Sequence, residues 1–277
     1  MANEEQAVFW TEQAGPIWLE REEFLDASSR PFGLAAIDAA NVQPGEKVLD
    51  VGCGTGSTTI ELGRRVGESG KALGLDISPL LLGRAREKAA AAGASNVDFV
   101  EGDAQTYTLD EPFDLVFSRF GIMFFEDPVA AFGNLRKAAP EGRLTFICWQ
   151  DVFSNAWMSV PTMAASSVLG DFDLPPEGSP SPFYYADPEL ARSVLSDAGW
   201  RDVSIEPFRT TMDSPAEEAA ERLGFLVRMG PLGARFMESD PDTQQRTLDA
   251  ILAAASEHES GGVFRMPAAA WIVTARA

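Results

Sequence analysis

The chain has 277 residues, a formal net charge of −20 at pH 7 and 45% hydrophobic residues, which suits an α/β enzyme with a sizeable core and added segments. A nucleic-acid partner and a membrane span are not expected, because no Lys/Arg cluster could contact phosphates and no apolar run reaches about 18 residues. The N-terminal residues 1–6 are polar and acidic, unlike a signal peptide, so a cytoplasmic location is expected.

Strands and helices alternate through the first half of the chain. Turn residues mark the boundaries, with Pro44 and Gly45 before the first strand and Ser78 and Pro79 at the start of a helix. Strands that alternate with helices indicate a parallel sheet covered on both faces. The pattern predicts strands over 47–51, 72–76, 97–101, 113–118 and 143–149, and helices over 57–66, 79–92 and 129–138.

The second half changes character after residue 150. Met and aromatic residues mix with a proline-rich run at 174–182, which indicates an inserted lid. A helix over 187–198 and a strand over 203–212 follow, and a last strand is expected near 269–275. The predicted organisation is an N-terminal helical cover at 1–40, a nucleotide-binding core at 41–150, a lid insertion at 151–186, and the remainder of the core at 187–277 with a helical insertion at about 213–262.

The most informative segment is V-L-D-V-G-C-G-T-G at 48–56. An apolar strand containing Asp50 runs into the alternating glycines Gly52, Gly54 and Gly56. Glycine takes positive φ at little cost and lets the backbone approach a ligand closely. The turn leads into a helix whose free N–H groups face the same place, so the segment predicts a nucleotide-binding turn.

Two kinds of cofactor could occupy this turn. A dinucleotide fingerprint, Gly-x-Gly-x-x-Gly, would need its third glycine one residue later, where Ser57 stands. Asp50 would also repel a pyrophosphate and suits a cationic ligand better. The sequence therefore disfavours an NAD-dependent oxidoreductase.

This turn and four further motifs resemble those of class I S-adenosylmethionine-dependent methyltransferases, in the broad group that includes the ubiquinone and menaquinone biosynthesis C-methyltransferases. The resemblance covers nearly the whole chain, and the stretch at 118–125 is similar to a bacterial subgroup. It implies a Rossmann-like, doubly wound, seven-stranded sheet of order 3-2-1-4-5-7-6 with an antiparallel last strand and helical lid insertions. The further motifs are L-G-L-D-I-S at 73–78, E-G-D-A-Q at 101–105, F-D-L-V-F-S at 113–118 and P-E-G-R-L at 140–144.

The resemblance also implies S-adenosylmethionine as cofactor and S-adenosylhomocysteine as product. Asp76 would accept hydrogen bonds from the ribose hydroxyls, and Asp103 from the adenine amino group. Asp50 would either contact the ammonium of the ligand or brace the glycine turn. The expected cofactor-binding residues are Asp50, Gly52, Cys53, Gly54, Gly56, Asp76, Ile77, Asp103, Ala104, Gln105 and Ser118.

The sequence offers few groups for acid–base or metal chemistry. Cys53 and Cys148 lie in no Cys/His cluster, so no metal site is predicted, and Cys53 is expected to pack as a small turn residue. His258, the single histidine, lies in a polar loop and is expected at the surface. Attack on a sulfonium methyl can depend mainly on near-attack geometry, so no catalytic base is assigned.

The acceptor pocket is expected above the carboxyl ends of the strands. Arg119 is either a rim group or the partner of a carboxylate, and the apolar residues around it serve either the pocket or the core. Their apolar character indicates a small, apolar or aromatic methyl acceptor. Either a monomer or a homodimer is expected. The pocket candidates are Trp18, Arg119, Met123, Phe124 and Trp149.

Two alternative functions remain open at this point. A methyltransferase fold can use its cofactor for non-methylating chemistry, such as an assisted cyclisation, or can retain it as the structural ligand of a binding module. The missing base motivates the first alternative, which release of S-adenosylhomocysteine on turnover would count against, and the complete cofactor motifs disfavour the second.

Overall fold

The computed structural model describes residues 3–173, 176 and 178–277. The remaining residues, Met1, Ala2, Leu174, Pro175 and Glu177, belong to the predicted N-terminal cover and the predicted proline-rich lid, and those parts of the two predictions lie outside the described residues. The chain forms two compact units. Unit 1 comprises Met1–Trp149, Pro180–Phe208 and Ala270–Ala277, and unit 2 comprises Gln150–Ser179 and Arg209–Ala269.

The helices and strands follow one another in this order. The first part contains α1 (Glu4–Val8), a π-helical turn (Phe9–Gln13), α2 (Ala14–Glu20) and α3 (Glu22–Ala39). The alternating part contains β1 (Lys47–Val51), α4 (Ser57–Val66), β2 (Lys71–Asp76), α5 (Pro79–Ala91), β3 (Val97–Glu101), β4 (Leu115–Arg119), α6 (Pro128–Ala138) and β5 (Arg143–Trp149). The rest contains α7 (Ala156–Leu169), α8 (Pro188–Asp197), β6 (Arg201–Pro215), α9 (Ala219–Met229), α10 (Gly233–Glu238), α11 (Pro241–Ala255), β7 (Glu259–Ser260) and β8 (Val263–Arg276).

The strands form one sheet of order β3-β2-β1-β4-β5-β8-β6. The pairings from β3 to β5 are parallel, and β8 runs antiparallel to β5, with Arg143 opposite Arg276 and Trp149 opposite Ala270. The predicted fold class and strand order are confirmed. Among the described residues the sheet has eight strands instead of the predicted seven, because the two-residue β7 also pairs with β8.

The central strands are buried along most of their length, as expected for a parallel sheet covered on both faces. Helix starts follow the punctuation of the sequence. Ser78 accepts a hydrogen bond from the Leu81 N–H, and Pro79 fills the first helical position of α5. Asp127 caps α6 in the same way before Pro128. Ser78 thus starts α5 two residues after the end of β2, whereas Asp127 starts α6 eight residues after the end of β4.

Several elements differ from the predicted boundaries, and the last strand, predicted near 269–275, already begins at Val263. The strand predicted over 113–118 begins at Leu115, because the Phe113 N–H donates to the Ala138 carbonyl outside the ladder. The helical insertion predicted at about 213–262 consists of α9, α10 and α11, which are separated by the loops around Gly230 and Asp240. Among the described residues, none of the helices has the length and hydropathy needed to cross a membrane.

Unit 2 contains helices and strand segments and has its own polar anchor at Asn155. The buried Asn155 side chain accepts hydrogen bonds from Trp157 Nε1 and the Ala269 N–H, and it donates to the Ala269 carbonyl. An amide that uses both its donor and acceptor groups in this way fixes the start of α7 against the strand segment at 269. Buried side chains in this unit include Trp157, Leu223, Phe225, Phe236 and Ile251.

Candidate active site

A cleft in unit 1 lies at the carboxyl ends of β1, β2, β3 and β4. Its empty volume is about 980 Å³, counting the part that is open to solvent. In an open α/β sheet this edge is where ligands bind. The predicted site residues that line the cleft are Trp18, Gly52, Cys53, Gly54, Asp76, Ile77, Asp103, Ala104, Arg119 and Phe124.

The glycine turn forms one wall of the cleft with its backbone. Gly52, Gly54 and Gly56 all have positive φ, of 67°, 54° and 79°. A Cβ built on Gly54 would meet no atom within 4 Å, whereas one on Gly52 would lie 2.7 Å from the Cα of Gly121. The backbone at Gly54 therefore borders open space, and Gly52 is needed for close packing. Gly56 lies outside the cleft lining and caps α4 in a left-handed conformation.

Asp76 ends β2 and lines the cleft with a fixed orientation. One carboxylate oxygen accepts from the Gly54 N–H at 2.7 Å and the other from the Ser78 N–H at 2.9 Å. Burial raises the pKa of this carboxyl, while backbone N–H groups of Ser78, Gly54 and Ile77 oppose the shift. The remaining acceptor capacity of the carboxylate is suited to a pair of hydroxyl donors in the cleft.

Asp103 lies two residues after β3 and also lines the cleft. Its Oδ1 accepts from the Asn3 side-chain amide at 2.7 Å and from the Gln105 N–H at 2.9 Å. Its Oδ2 accepts from the Asn3 N–H at 3.3 Å. Gln105 contributes this backbone donor but lies outside the cleft lining, where its side chain accepts from the Asp127 N–H.

Asp50 braces the turn from below. Its Oδ2 accepts from the Thr58 and Thr59 hydroxyls, each at 2.7 Å, and this ties β1 to the first turn of α4. Its Oδ1 is buried without a hydrogen-bond partner among the described residues, and burial raises the pKa of the carboxyl to about 6. Asp50 lies outside the cleft lining, and its expected contact with the ligand remains a prediction.

Cys53 packs inside the turn. Burial is the main reason why the pKa of its thiol lies well above the ordinary value, and the charge of Asp76 adds to the shift. A Cβ on Gly74 would lie only 2.7 Å from the Cys53 sulfur, so the thiol fills the space beside that glycine. The structure gives Cys53 a packing contact and a thiol that resists ionisation.

Arg119 ends β4 and carries the single positive charge among the described residues that line the cleft. Its Nη1 donates to the Ser29 hydroxyl at 2.8 Å, and its Nη2 lies 3.5 Å from Asp26 Oδ1. The side chain is 13% exposed. The cleft therefore has acidic groups at the ends of β2 and β3 and a guanidinium at the end of β4.

Aromatic rings line the part of the cleft beyond the turn. Trp10 lies edge-to-face against Trp18 and Phe124, with centroid separations of 5.8 and 5.3 Å. Phe120 has a positive φ of 61° and stacks on Trp149 at 4.0 Å. A bulky residue rarely adopts this backbone conformation, so the stack holds Phe120 in a strained arrangement at the cleft wall.

Three predicted residues lie behind this wall, outside the cleft lining. Trp149 is covered by Phe120, and Met123 is buried. Ser118 donates a hydrogen bond to the Val51 carbonyl at 2.7 Å and accepts one from the Gly121 N–H, so it links β4 to the glycine turn. His258, expected at the surface, lies in a short 3₁₀ turn of unit 2 and is not among the residues that line the cleft.

The sequence interpretation missed Asn3, Gln6 and Ser29, all of which line the cleft. They come from the helices before β1, far along the chain from the strand ends that they face. A polar residue in an N-terminal helix carries no local pattern that distinguishes a cleft position from a solvent position. The amphipathic pattern of α3 indicates a packed face but not what the face covers.

Comparison with known proteins shows the family to which the chain belongs. The profile of a family described as a methyltransferase domain matches residues 43–177. The ubiquinone/menaquinone biosynthesis C-methyltransferase of Cronobacter sakazakii is 31% identical over 179 residues, which cover 61% of this chain and 71% of that protein. The demethylmenaquinone methyltransferase of Shouchella clausii is 28% identical over 178 residues, covering 61% of this chain and 76% of that protein.

The fold is also shared with a solved enzyme. Phosphoethanolamine N-methyltransferase 2 of Haemonchus contortus, determined in complex with S-adenosyl-L-methionine, matches with a TM-score of 0.53 and 16% sequence identity. The match covers 89% of this chain and 52% of that chain. At this identity the likeness concerns the fold.

Proposed function

Because the chain belongs to the S-adenosylmethionine-dependent methyltransferases, we propose that it transfers the methyl group in line to a small, apolar or aromatic acceptor. The observation that carries the proposal is the polarity of the cleft. The cleft lining combines acidic groups and backbone donors with aromatic rings and one guanidinium. A polar nucleoside would fit the acidic groups, and an apolar acceptor would fit the aromatic rings.

The residues at the β1–β3 end suit the nucleoside of S-adenosylmethionine. Asp76 would accept from the two ribose hydroxyls, Asp103 from the adenine amino group, and the backbone at Gly54 would border the chain between ribose and sulfur. The fit is supported by the open space beside Gly54 and by the N–H donors that hold Asp76. When bound, the cofactor supplies a methyl group activated by a positively charged sulfur.

Arg119 would bind the carboxylate at the amino-acid end of the cofactor. In the order β3-β2-β1-β4, Arg119 is three strand spacings from the strand that precedes Asp103, or about 14 Å at about 4.8 Å per spacing. A ligand with adenine at Asp103 and ribose at Asp76 would therefore extend toward β4. Ser29 and Asp26 hold the guanidinium in place, which lowers the entropy lost when it binds a carboxylate.

The acceptor would be held by Trp18, Phe120 and Phe124. Flat aromatic walls exclude water and restrict the orientation of an apolar ring. Near-attack positioning can supply up to roughly 7–11 kcal/mol of the barrier reduction. This role suits side chains that are themselves fixed by ring–ring contacts, and it requires no dedicated base.

The proposal is tested by release of S-adenosylhomocysteine with a panel of acceptors: quinone-like phenols, aromatic and aliphatic acids, amines and thiols. We expect turnover with aromatic acceptors. Phe124→Ala should raise the acceptor KM about tenfold, because it removes one aromatic wall, and should change the KM for S-adenosylmethionine less than about twofold.

Leu190→Ala is the matched control, because Leu190 is an exposed apolar residue on α8 outside the cleft lining. Fastest turnover with small hydrophilic amines, together with an unchanged KM in Phe124→Ala, would overturn the acceptor assignment. Tight binding of the cofactor without methyl transfer to any acceptor would instead support the non-methylating or structural-ligand alternative.

A further inference from the structure

Asn3 makes a direct contact with a cleft residue that is distant in the sequence. Its side-chain amide and its backbone N–H both donate to the Asp103 carboxylate, at 2.7 and 3.3 Å, across 100 positions of sequence. Both residues are 4% exposed. Asp103 therefore depends on the N-terminal segment, and not only on its own loop, for the orientation of its two oxygens.

The Asn3 side chain makes this contact instead of capping α1. Asn3 occupies the N-cap position of α1, where an Asn side chain commonly accepts from an N–H in the first turn, yet here it makes no such bond. Its side-chain oxygen instead accepts from the Glu126 N–H at 2.9 Å. The side chain thus links Asp103 to the loop before α6, with its donor on one side and its acceptor on the other.

The segment that carries Asn3 is itself attached to the cleft wall. The Ser78 hydroxyl donates to the Trp10 carbonyl at 3.1 Å, directly after the strand that ends in Asp76. Trp10 also packs against Phe124. Asn3, Gln6 and Trp10 all line the cleft, so α1 and the π-helical turn run along its side.

The hydrogen bonds leave Asp103 a defined acceptor. Oδ1 is used twice, by Asn3 and Gln105, whereas Oδ2 is used once, by the Asn3 N–H. A carboxylate has about four acceptor positions, so one position on Oδ2 remains. Because Asn3 fixes the plane of the carboxylate, it also fixes the direction of this position.

We propose that Asn3 is a positioning residue for purine recognition: it orients Asp103 so that Oδ2 accepts from an exocyclic amino group and rejects a carbonyl at the same place. The inference rests on the proposed placement of adenine at Asp103. It adds that selectivity for a 6-aminopurine over a 6-oxopurine comes from the N-terminal segment as well as from the motif after β3. A 6-oxo group would face the carboxylate oxygen and find no donor there.

The test compares S-adenosylhomocysteine with S-inosylhomocysteine, which carries a carbonyl in place of the amino group. Dissociation constants are measured by calorimetry for the parent chain, Asn3→Ala, Asp103→Asn and Glu5→Gln, all without an N-terminal extension. Glu5 is an exposed residue on α1 outside the cleft lining and serves as the matched control. Circular dichroism and thermal melting check that each variant is folded.

The parent should prefer the 6-amino ligand by about tenfold or more, the effect of one charge-assisted hydrogen bond. We expect Asn3→Ala to reduce this preference about three- to tenfold, and Glu5→Gln to leave it unchanged. A general loosening of the fold would weaken both ligands equally and keep the ratio, so an unchanged ratio in Asn3→Ala overturns the inference. An unchanged ratio in Asp103→Asn would instead overturn the placement of adenine.

Discussion

The residues to which we assign the nucleoside (the nucleoside end) and the residues to which we assign the acceptor (the acceptor end) are held in place in different ways. At the nucleoside end, Asp76 is held by backbone N–H groups from the glycine turn and from the start of α5, which lie within a few residues of strand ends. At the acceptor end, side chains hold side chains: Trp10 packs on Trp18, and Phe120 stacks on Trp149. The first end depends on backbone conformation, while the second depends on which aromatic residues meet.

Because of this difference, the two ends tolerate different kinds of substitution. A backbone-built site accepts many substitutions around it, provided that the glycines and the acids remain. A wall made of packed rings changes shape with each substitution. We therefore expect variants at the nucleoside end to affect cofactor binding uniformly and variants at the acceptor end to alter which acceptor is used.

The largest expected effect is the loss of Asp76. Asp76→Ala removes the proposed ribose contacts and leaves the Gly54 N–H without its acceptor. We expect affinity for S-adenosylhomocysteine to fall at least about 100-fold, because two hydrogen bonds to a charged group are lost. Titration calorimetry measures this loss, and Asp98→Ala, at an exposed position of β3, is the control. Retained affinity would show that the nucleoside end does not depend on this carboxylate.

Asp50 is a buried acid next to the glycine turn, and its effect on the free energy of unfolding depends on pH. Its pKa of about 6 in the folded protein lies above the ordinary value of 3.8. The protonated form is thus favoured on folding, and this stabilisation is present below about pH 4 and is lost as the pH rises through 6. The shift corresponds to about 3 kcal/mol.

Asp50→Asn keeps a side-chain oxygen for the Thr58 and Thr59 hydroxyls but has no charge to bury. In the ligand-free protein we expect it to be more stable than the parent at pH 8, by up to about 3 kcal/mol, and equally stable near pH 4. Urea unfolding at the two pH values gives the comparison. A variant that is less stable at pH 8 would show that the ionised carboxylate contributes to folding.

Arg119 is the residue that we propose binds the carboxylate of the cofactor. We expect Arg119→Met to weaken binding of S-adenosylhomocysteine about tenfold, because a charge-assisted contact to its carboxylate is lost. Binding of 5′-methylthioadenosine, which lacks the amino-acid group, should change less than about twofold. If the affinity for both ligands fell equally, Arg119 would act by maintaining the structure of the cleft and not by binding the carboxylate. Weakening of acidic acceptors alone would assign the guanidinium to the acceptor.

The smallest effect is expected at Cys53. Since burial raises the pKa of its thiol, iodoacetamide at pH 8 should leave Cys53 unmodified in the folded chain and modify it in urea. Cys53→Ala should cost about 1 kcal/mol of stability, the typical effect of a small buried deletion, and should leave turnover near the parental rate. Mass spectrometry after alkylation, with and without S-adenosylhomocysteine, provides the measurement. Rapid modification of the folded protein would contradict the packed turn.

The alternating strands and helices and the glycine turn could be predicted from local rules: apolar strands, capped helices and glycines that require positive φ. The order of the strands in the sheet was implied by the resemblance to methyltransferases. Asn3 and Ser29 could not be predicted, because they reach the cleft only through the packing of the helices before β1. Trp149 lies behind the cleft wall because Phe120, in its left-handed conformation, stacks on it. Backbone-encoded parts of the site are readable from sequence, while parts formed by packing require the fold.

The position of β8 has a consequence for biosynthesis. Residues 270–276 pair with β5 from inside the strand order, between β5 and β6, although they are synthesised long after β5. Until they leave the ribosome, β5 is an unprotected edge with an apolar surface, which is a template for association with other chains. The sheet can therefore be completed only when residues 270–276 pair with the distant strand β5. Translation speed and chaperone access should for this reason influence the yield of folded protein.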